Sequence, residues 1–353
     1  MGANAEYVFV GCYTGDKGGE GDGITLLRRD PATGDLTRLG LAARTPSPSF
    51  LAQHPTLPVL YAVNEIDPEG TVTAFSVAPD CSLIPLAVHP TGGGDPCHLA
   101  VTADGRHLVV ANYASGSVAV FPLDAAGVPG ERSDLLTLAG SGPDAERQAS
   151  PHAHMVVPDR NGPDVLISDL GSDRVWRARL DPNTGRLGLT EPAVEAKPGT
   201  GPRHLVRSAD GALLLAGELT GSLSWYRPAG GPVLEQRGET AASTGAGPVY
   251  PSEITMGRDG RFVYLANRGP DTVTTFAWDG ETATVVAEVP TNGSWPRHMT
   301  LLGDHLYVAN QRSHNVTVFR IDPDTGIPAS QGEPSGEPSP TCLLRWHPAM
   351  IRP

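Results

Sequence analysis

Histidine, arginine and glutamate are concentrated at two recurring places in this chain of 353 residues. One is the stretch just after a repeated proline, which carries His98, His152, His154, Arg203, His204, Glu253, Arg297 and His298. The other, about 15 residues further on in each unit, is the end of an apolar phrase and carries Tyr13, Glu65, Glu218 and Arg268 beside Asn64, Asn112, Asp169, Asn267 and Asn310. Imidazoles move protons near neutral pH, and guanidiniums hold carboxylates or phosphates in a forked geometry and steady an oxyanion. Such a set suits a small anionic substrate and a proton transfer. His152 and His154, two apart on a strand, would share a face, a spacing that fits two metal ligands or a packed pair. No cysteine cluster or Asp-rich loop accompanies them, so no metal is assigned.

The elements that must bring these residues together are written in a repeat. Pro48, Pro96, Pro151, Pro202, Pro251, Pro296 and Pro340 open similar phrases at intervals of 44 to 55 residues. Within a unit the proline opens a first strand, and an Asp-Gly turn (Asp104-Gly105, Asp210-Gly211, Asp259-Gly260) leads to a second, the Leu-x-Val-Ala-Asn phrase. A third strand is the Val-x-Val-Phe phrase at 118–121, 273–276 and 316–319. The turn to the fourth recurs as Asp-Pro-x-Thr-Gly at 30–34, 181–185 and 322–326. Four short strands per unit of about 50 residues describe a propeller blade. The N-terminal Tyr7–Tyr13 phrase reads as a second strand lacking a first, and the Pro340 phrase as a first lacking a second. The reading is therefore an all-β, seven-bladed propeller over residues 1–353, one domain, closed by a blade built from both termini. A two-sheet solenoid fits less well, and with Trp278-Asp279 the sole Trp-Asp dipeptide this is not a WD-repeat scaffold. In such a ring the starts of the first strands and the ends of the second converge on one mouth of the central channel.

Composition agrees. The 42 Gly and 34 Pro are costly in helices and at home in turns. A net charge of −13 argues against nucleic acid or an anionic membrane as partner, so the mouth must be locally basic on an acidic protein. Cys12, Cys81, Cys97 and Cys342 are scattered without a Cys-x-x-Cys, so neither a disulfide framework nor a zinc site is indicated. With no signal-like start and no run of about 18 apolar residues, the expectation is a cytoplasmic protein with reduced thiols, monomeric or weakly self-associating. The Gly-rich stretch Gly15–Gly23 precedes no helix and is expected to form a flexible loop over the mouth.

The phrases Gly92-Gly-Gly-Asp-Pro-Cys-His-Leu, Ser150-Pro-His-Ala-His, Gly201-Pro-Arg-His-Leu, Ala216-Gly-Glu-Leu and Ala266-Asn-Arg-Gly resemble the seven-bladed β-propeller lactonase family. That family includes 6-phosphogluconolactonases and the fungal type of 3-carboxy-cis,cis-muconate lactonizing enzyme. The likeness runs over essentially the whole chain. It implies a cofactor-independent lactonase acting on a sugar-acid lactone, with a cycloisomerase acting on an unsaturated dicarboxylate as the competing reaction. The acidic surface and the absence of a nucleophile motif also permit a non-catalytic propeller that binds a ligand or protein. The resemblance also implies site roles: His154 (or His152) and Glu218 as proton-transfer groups, Arg203 and Arg268 as the anion clamp. His98, His152, His204, Arg297, His298, Glu65 and Tyr13 would line the substrate.

Plainer roles compete for several of these residues. Arg203 could clamp a neighbouring carbonyl, the recurrence of His98, His204 and His298 points to a partly structural job, and the asparagines read first as turn formers. Glu218 stands out because it takes the place of an Asn or Asp in the other units and is longer than a turn needs.

Overall fold

The computed structural model describes residues 6–346. Seven antiparallel sheets form a ring in which each inner strand is followed by three progressively outer ones. We number the blades from the first complete one. The inner strands of blades 1 to 6 are Leu51–Gln53, Pro96–Val101, Ala153–Pro158, Pro202–Arg207, Tyr250–Met256 and Pro296–Leu302. In blade 7 the inner strand, Pro340–Trp346, pairs with Glu6–Cys12 from the other end of the chain, so backbone hydrogen bonds close the ring. Phe9 and Trp346 meet edge to face across this seam, with ring centroids 5.8 Å apart. One blade departs from four strands: in blade 3 the short Val194–Glu195 strand also pairs with Arg174–Leu180.

The second strands are almost wholly apolar because neighbouring blades bury both of their faces, while the third strands alternate apolar residues with Thr, Ser or Arg. Val109, Ala111, Val118 and Val120 of blade 2, for example, pack on Ala153, Val156, Ile167 and Ala178 of blade 3. The outermost strands alternate and leave Leu39, Ile84 and Val88 exposed. The Asp-Pro-x-Thr-Gly turns repeat in detail. In the first of them Asp30 Oδ1 accepts from the Ala32 N–H (2.8 Å) and Gly34 takes φ 78°. A Cβ at Gly34 would strike the His305 ring of the adjacent blade, so glycine serves both the turn and the packing.

One expectation needs correcting. The stretch Gly15–Gly23 is no free flap: Lys17 Nζ lies 2.6 Å from Asp95 Oδ1, Ser47 Oγ donates to Asp16 (2.8 Å), and the Glu20 N–H donates to Ser339 Oγ (2.9 Å). These bonds fasten it to blades 7, 1 and 2. The asparagines ending the second strands are buried and brace the turns that follow them: Asn112 Nδ2 donates to Ser117 Oγ (3.1 Å) and Asn310 Nδ2 to Asn315 Oδ1 (3.1 Å). Two of the set also act as clips between blades. Asn64 Nδ2 donates to Pro46 O (2.6 Å) and Asn267 Nδ2 to Ala242 O (3.0 Å), tying each strand end to chain arriving from the preceding blade.

Candidate active site

A bulge at the start of the inner strands builds the site. In blade 2 Pro96 faces Asn112 but His98 already faces Ala111, leaving Cys97 as an extra residue. The same shift isolates His154 in blade 3, where Ala153 faces Asp169 and Met155 faces Ser168, and Arg297 in blade 6. One extra residue likewise lies between Pro202 and Leu205 in blade 4 and between Pro251 and Ile254 in blade 5. Proline has no N–H to continue the ladder, and a bulge re-aims the side chain it displaces. The consequence is two stacked ranks of side chains in the channel, one from the bulge residues and one from the residues that follow them.

A third rank forms the rim. The backbone N–H groups of Tyr13, Glu65, Tyr113, Leu170, Glu218 and Gln311 each donate to the carbonyl of the residue just before a repeat proline or, in blade 3, before Ala153: Ser339, Ser47, Asp95, His152, Gly201 and Trp295. Glu218 therefore does not replace the asparagines of other blades, as its place in the phrase implied. Gly217 does, facing Pro202 as Asn112 faces Pro96. The shorter strand of blade 4 shifted the apparent register by one residue.

Glu218 is the hub of the rim. Its Oε2 lies 2.7 Å from Arg268 Nη2 and 2.9 Å from Arg203 Nε, and its Oε1 lies 2.7 Å from Arg147 Nη2. Burial alone would raise its pKa, but the guanidiniums of Arg268, Arg203 and Arg147 overcome that and hold the carboxyl well below its ordinary range. Arg203 is 2% exposed; burial, reinforced by the charge on Arg268, pushes its guanidinium down to about 10, still protonated at neutral pH. It also donates to Ser252 O of the next blade, so it clamps a carbonyl and binds Glu218 at once. Arg268 Nε donates to Tyr250 O (3.1 Å).

Across the mouth stands a second cluster. Tyr13 Oη donates to Glu65 Oε1 (2.6 Å), Arg297 donates to Tyr13 Oη and stands 3.7 Å from Glu65, and its guanidinium stacks 4.8 Å from the Tyr13 ring centroid. Burial holds the Tyr13 phenol well above its usual pKa, so it stays protonated and donates.

The two candidate histidines part company, because the bulge breaks the strict alternation that would put them on one face. His152 precedes the strand, half-buried, stacked on Tyr113 (4.5 Å) with its Nδ1 2.9 Å from Tyr113 O. His154 is buried in the channel, its ring 5.2 Å from His204 and 5.6 Å from Tyr113. Its Nδ1 has no hydrogen-bond partner among the described residues. Burial, then the charge on Arg203, holds its pKa well below 6.5, so the ring is neutral.

Beneath lies a floor. Phe50 stacks on His98 (4.2 Å) and meets His298 edge to face (5.5 Å), while His98 and His204 meet across the channel (5.6 Å). Glu253 Oε2 sits 3.0 Å from His204 Nδ1 and 3.5 Å from His298 Nε2. Burial lowers the pKa of all three imidazoles and raises that of Glu253. The guanidiniums all stand above this depth, where burial disfavours charge on every titratable group.

Sequence reading missed Arg147 and Tyr113. Tyr113 occupies the rim place equivalent to Glu218 and Tyr13, and Arg147 Nη2 lies 3.2 Å from its hydroxyl. Arg147 comes from the segment before blade 3, which buried Gln148 anchors by donating to Leu170 O and Asp173 Oδ1, both at 2.8 Å. The 55-residue interval from Pro96 to Pro151 was its signal in the sequence. Among the described residues no group of three or more His, Cys, Asp or Glu could hold a metal. No described helix is long and apolar enough to cross a membrane. The clefts lined by Arg106, Asp159, Arg160 and Arg207 lie at the opposite end of the inner strands, away from all these groups.

The family model "Lactonase, 7-bladed beta-propeller" matches residues 7–345. The chain belongs to this family. It is a lactone-hydrolysing carboxylic ester hydrolase built on the seven-bladed ring. Among curated relatives, the 6-phosphogluconolactonase of Bacillus subtilis is 30% identical, covering 96% of this chain and 98% of that protein. The 6-phosphogluconolactonase of Formosa agariphila is also 30% identical, over 90% of this chain and 93% of its own length. Of solved structures, a putative 6-phosphogluconolactonase from Bacteroides fragilis superposes with a TM-score of 0.89 at 31% identity, covering 97% of this chain and 98% of its own. The periplasmic gluconolactonase of Pseudomonas aeruginosa does so with a TM-score of 0.89 at 30% identity, over 97% and 99%. The lactonase ring here is closed at the same seam that its two incomplete terminal phrases require.

Proposed function

We propose that this lactonase hydrolyses the lactone of a sugar acid, with 6-phosphogluconolactone the first candidate substrate, and that the rim and bulge ranks are its active site. The observation that carries this reading is the pairing, in one mouth, of a buried neutral His154 with an unpartnered Nδ1 and a triple-guanidinium cluster. Arg203, Arg268 and Arg147 share the single carboxylate of Glu218, and the positive charge left over draws an anionic lactone and steadies the oxyanion as it forms. Water adds to the ester carbonyl while His154 takes its proton; the ring C–O bond then breaks and the same proton goes to the departing alkoxide. The products are a hydroxyl and a carboxylic acid, which ionises to a carboxylate and releases one proton to solvent, and one water is consumed.

Glu218 then has a different task from proton transfer. A carboxylate held so far below its ordinary range is a weak base, and its three ion pairs fix the direction of the guanidiniums. Tyr13, Glu65, Arg297 and His152 line the mouth around the substrate, with His98, His204 and His298 supporting it from below. Proton release from freshly prepared 6-phosphogluconolactone tests the reading: purified protein that does not exceed spontaneous hydrolysis sinks it. A carboxymuconate absorbance assay run in parallel would reveal cycloisomerase chemistry instead.

The four unpaired, buried cysteines favour a reducing compartment, and we take the cytoplasm as the working location. With one solved relative described as periplasmic, fractionation is the check. A small anionic substrate is the expected partner, on a protein that is monomeric or weakly self-associating, as light scattering would show.

A further inference from the structure

The residue before each repeat proline, or before Ala153 in blade 3, follows a rule with one violation. Ser47 (φ 35°), Asp95 (φ 50°), Gly201 (φ 63°) and Ser339 (φ 46°) occupy the left-handed region there, as small or turn-forming residues do. The bulky residues at the equivalent place in blades 3 and 5, His152 and Tyr250, keep an ordinary φ. Trp295 of blade 6 does not: it is held at φ 62°. A large aromatic in that conformation is strained, and such outliers persist where the surroundings hold them and cluster at ligand sites.

The surroundings are specific. The Trp295 N–H donates to Asp271 Oδ1 (2.8 Å), and its carbonyl accepts from the Gln311 N–H (3.0 Å). The ring carries the Arg312 guanidinium 3.5 Å from its centroid and the Arg268 guanidinium at 5.5 Å. Tyr250 stands beside it at 6.3 Å. Trp295 thus bridges Arg268, which holds Glu218, to Arg312 at the outer edge of the mouth.

Arg312 differs from the other cations of the mouth in what it lacks. Arg147, Arg203 and Arg268 are matched by Glu218, Arg297 by Glu65, and Lys17 by Asp95. Among the described residues, no carboxylate comes within ion-pair distance of Arg312, which is exposed. Beside it, the buried Oε1 of Gln311 has no hydrogen-bond partner among the described residues.

We propose that Arg312 is the group that recognises the phosphate of a phosphorylated sugar lactone, with Trp295 as the positioning residue that holds its guanidinium flat and aimed over the mouth. This rests on the lactonase reading and deepens it, since it makes the phosphorylated substrate preferred over its unphosphorylated counterpart. A forked, unneutralised guanidinium is suited to two phosphate oxygens at once, and the aromatic face restricts its rotamers without neutralising it. Gln311 Oε1 is placed to accept from a hydroxyl of the sugar chain.

The test compares 6-phosphogluconolactone with gluconolactone as substrates for the wild type, Arg312→Gln, Arg312→Lys and Trp295→Gly. Glycine is chosen because Gly201 already occupies the same place in blade 4, so the backbone is eased rather than broken. Arg312→Gln should raise KM for the phosphorylated lactone by roughly ten- to a hundredfold, the scale of a lost charge-assisted bond, with kcat little changed. Its kcat/KM on gluconolactone should stay within about threefold of wild type. Arg312→Lys should recover part of the loss, and Trp295→Gly, which also removes the ring beside Arg268, should cost more on the phosphorylated lactone than on gluconolactone. Equal losses on both lactones, or none, overturn the proposal. Calorimetric binding of 6-phosphogluconate against gluconate separates it from the hydrolytic reading. Arg312-dependent binding of the phosphorylated acid by a protein inert towards both lactones would keep the phosphate site and discard the lactonase assignment for this substrate. Arg312-independent binding would discard the site.

Discussion

Arg203 and His204 are neighbours in the chain, as are Arg297 and His298, yet each pair is split between two layers of opposite character. The upper layer and the rim above it are ionic: Arg203 is pinned to Glu218, and Arg297 to Tyr13 and Glu65. The layer below disfavours charge: burial depresses the pKa of His98, His204 and His298 and raises that of Glu253. The two buried glutamates make the contrast sharp. Glu218 has three guanidiniums and stays ionised; Glu253 has two imidazoles and resists ionisation. Burial acts on both in the same direction, and only the partners differ. A single extra residue at the bulge is what assigns neighbouring residues to the ionic layer or the one that disfavours charge.

The largest effect that would sharpen this division comes from the histidines. His154→Gln should lower kcat by about 10²–10⁴, the usual contribution of a general base, whereas His204→Gln in the floor should cost roughly tenfold or less. Equal losses in a steady-state assay would erase the distinction between the layers. Next in size, Arg268→Ala should reduce kcat/KM by about 10²–10³, as loss of an oxyanion-type donor does, and Arg147→Ala, whose side chain is 39% exposed, by roughly tenfold. A reversed order would mean that the loop arginine, not the blade arginines, holds the reacting group.

Acidity offers a milder probe. Because His154 must be neutral to accept a proton and its pKa lies well below 6.5, kcat/KM should stay level as pH falls through 6.5 and decline only beyond it. A midpoint at or above 6.5 would place the working base outside the buried layer. Smallest of all is a stability effect. Glu253 keeps its proton above the unfolded value of 4.5, so stability should fall as pH rises from there through its folded pKa. Glu253→Gln should remove that slope, raising Tm near neutral pH by roughly 2–4 °C while leaving kcat/KM within about threefold. For Glu218 the sign is opposite, its stabilisation being present above 4.5 and lost as pH falls. A Glu253→Gln protein whose Tm keeps the wild-type slope in calorimetry would show that the floor is not where this proton is held.

Much of this was legible in the chain. The prolines, the Asp-Pro-x-Thr-Gly turns and the incomplete phrases at the two ends give the ring and its closing seam, because turn chemistry and strand alternation are local. The convergence of Arg203, Glu218 and Arg268 on one mouth followed from the same repeat. Other points were out of reach. His152 and His154 look equivalent as i and i+2, and only a register shift between Ala153 and Met155 separates them. The Pro151 phrase is itself displaced, since Ala153 takes the place that Pro96 and Pro202 hold elsewhere. Arg147 sits outside the repeated phrases, so a reading built on repetition passed over it.

The sequence alone determined the number of blades, the order of the strands, the mouth on which the polar residues gather and the family to which they belong. These depend on patterns within a few residues, repeated seven times. The tertiary structure decided where charge is favoured and where it is not, which of two histidines is buried, and that Arg312 at the mouth has no carboxylate within ion-pair distance among the described residues. Those properties arise from groups dozens to hundreds of residues apart brought within a few ångströms in a medium of low dielectric. Glu218 is held by arginines 71, 15 and 50 residues away in the chain, and no local pattern states how many of them will reach it.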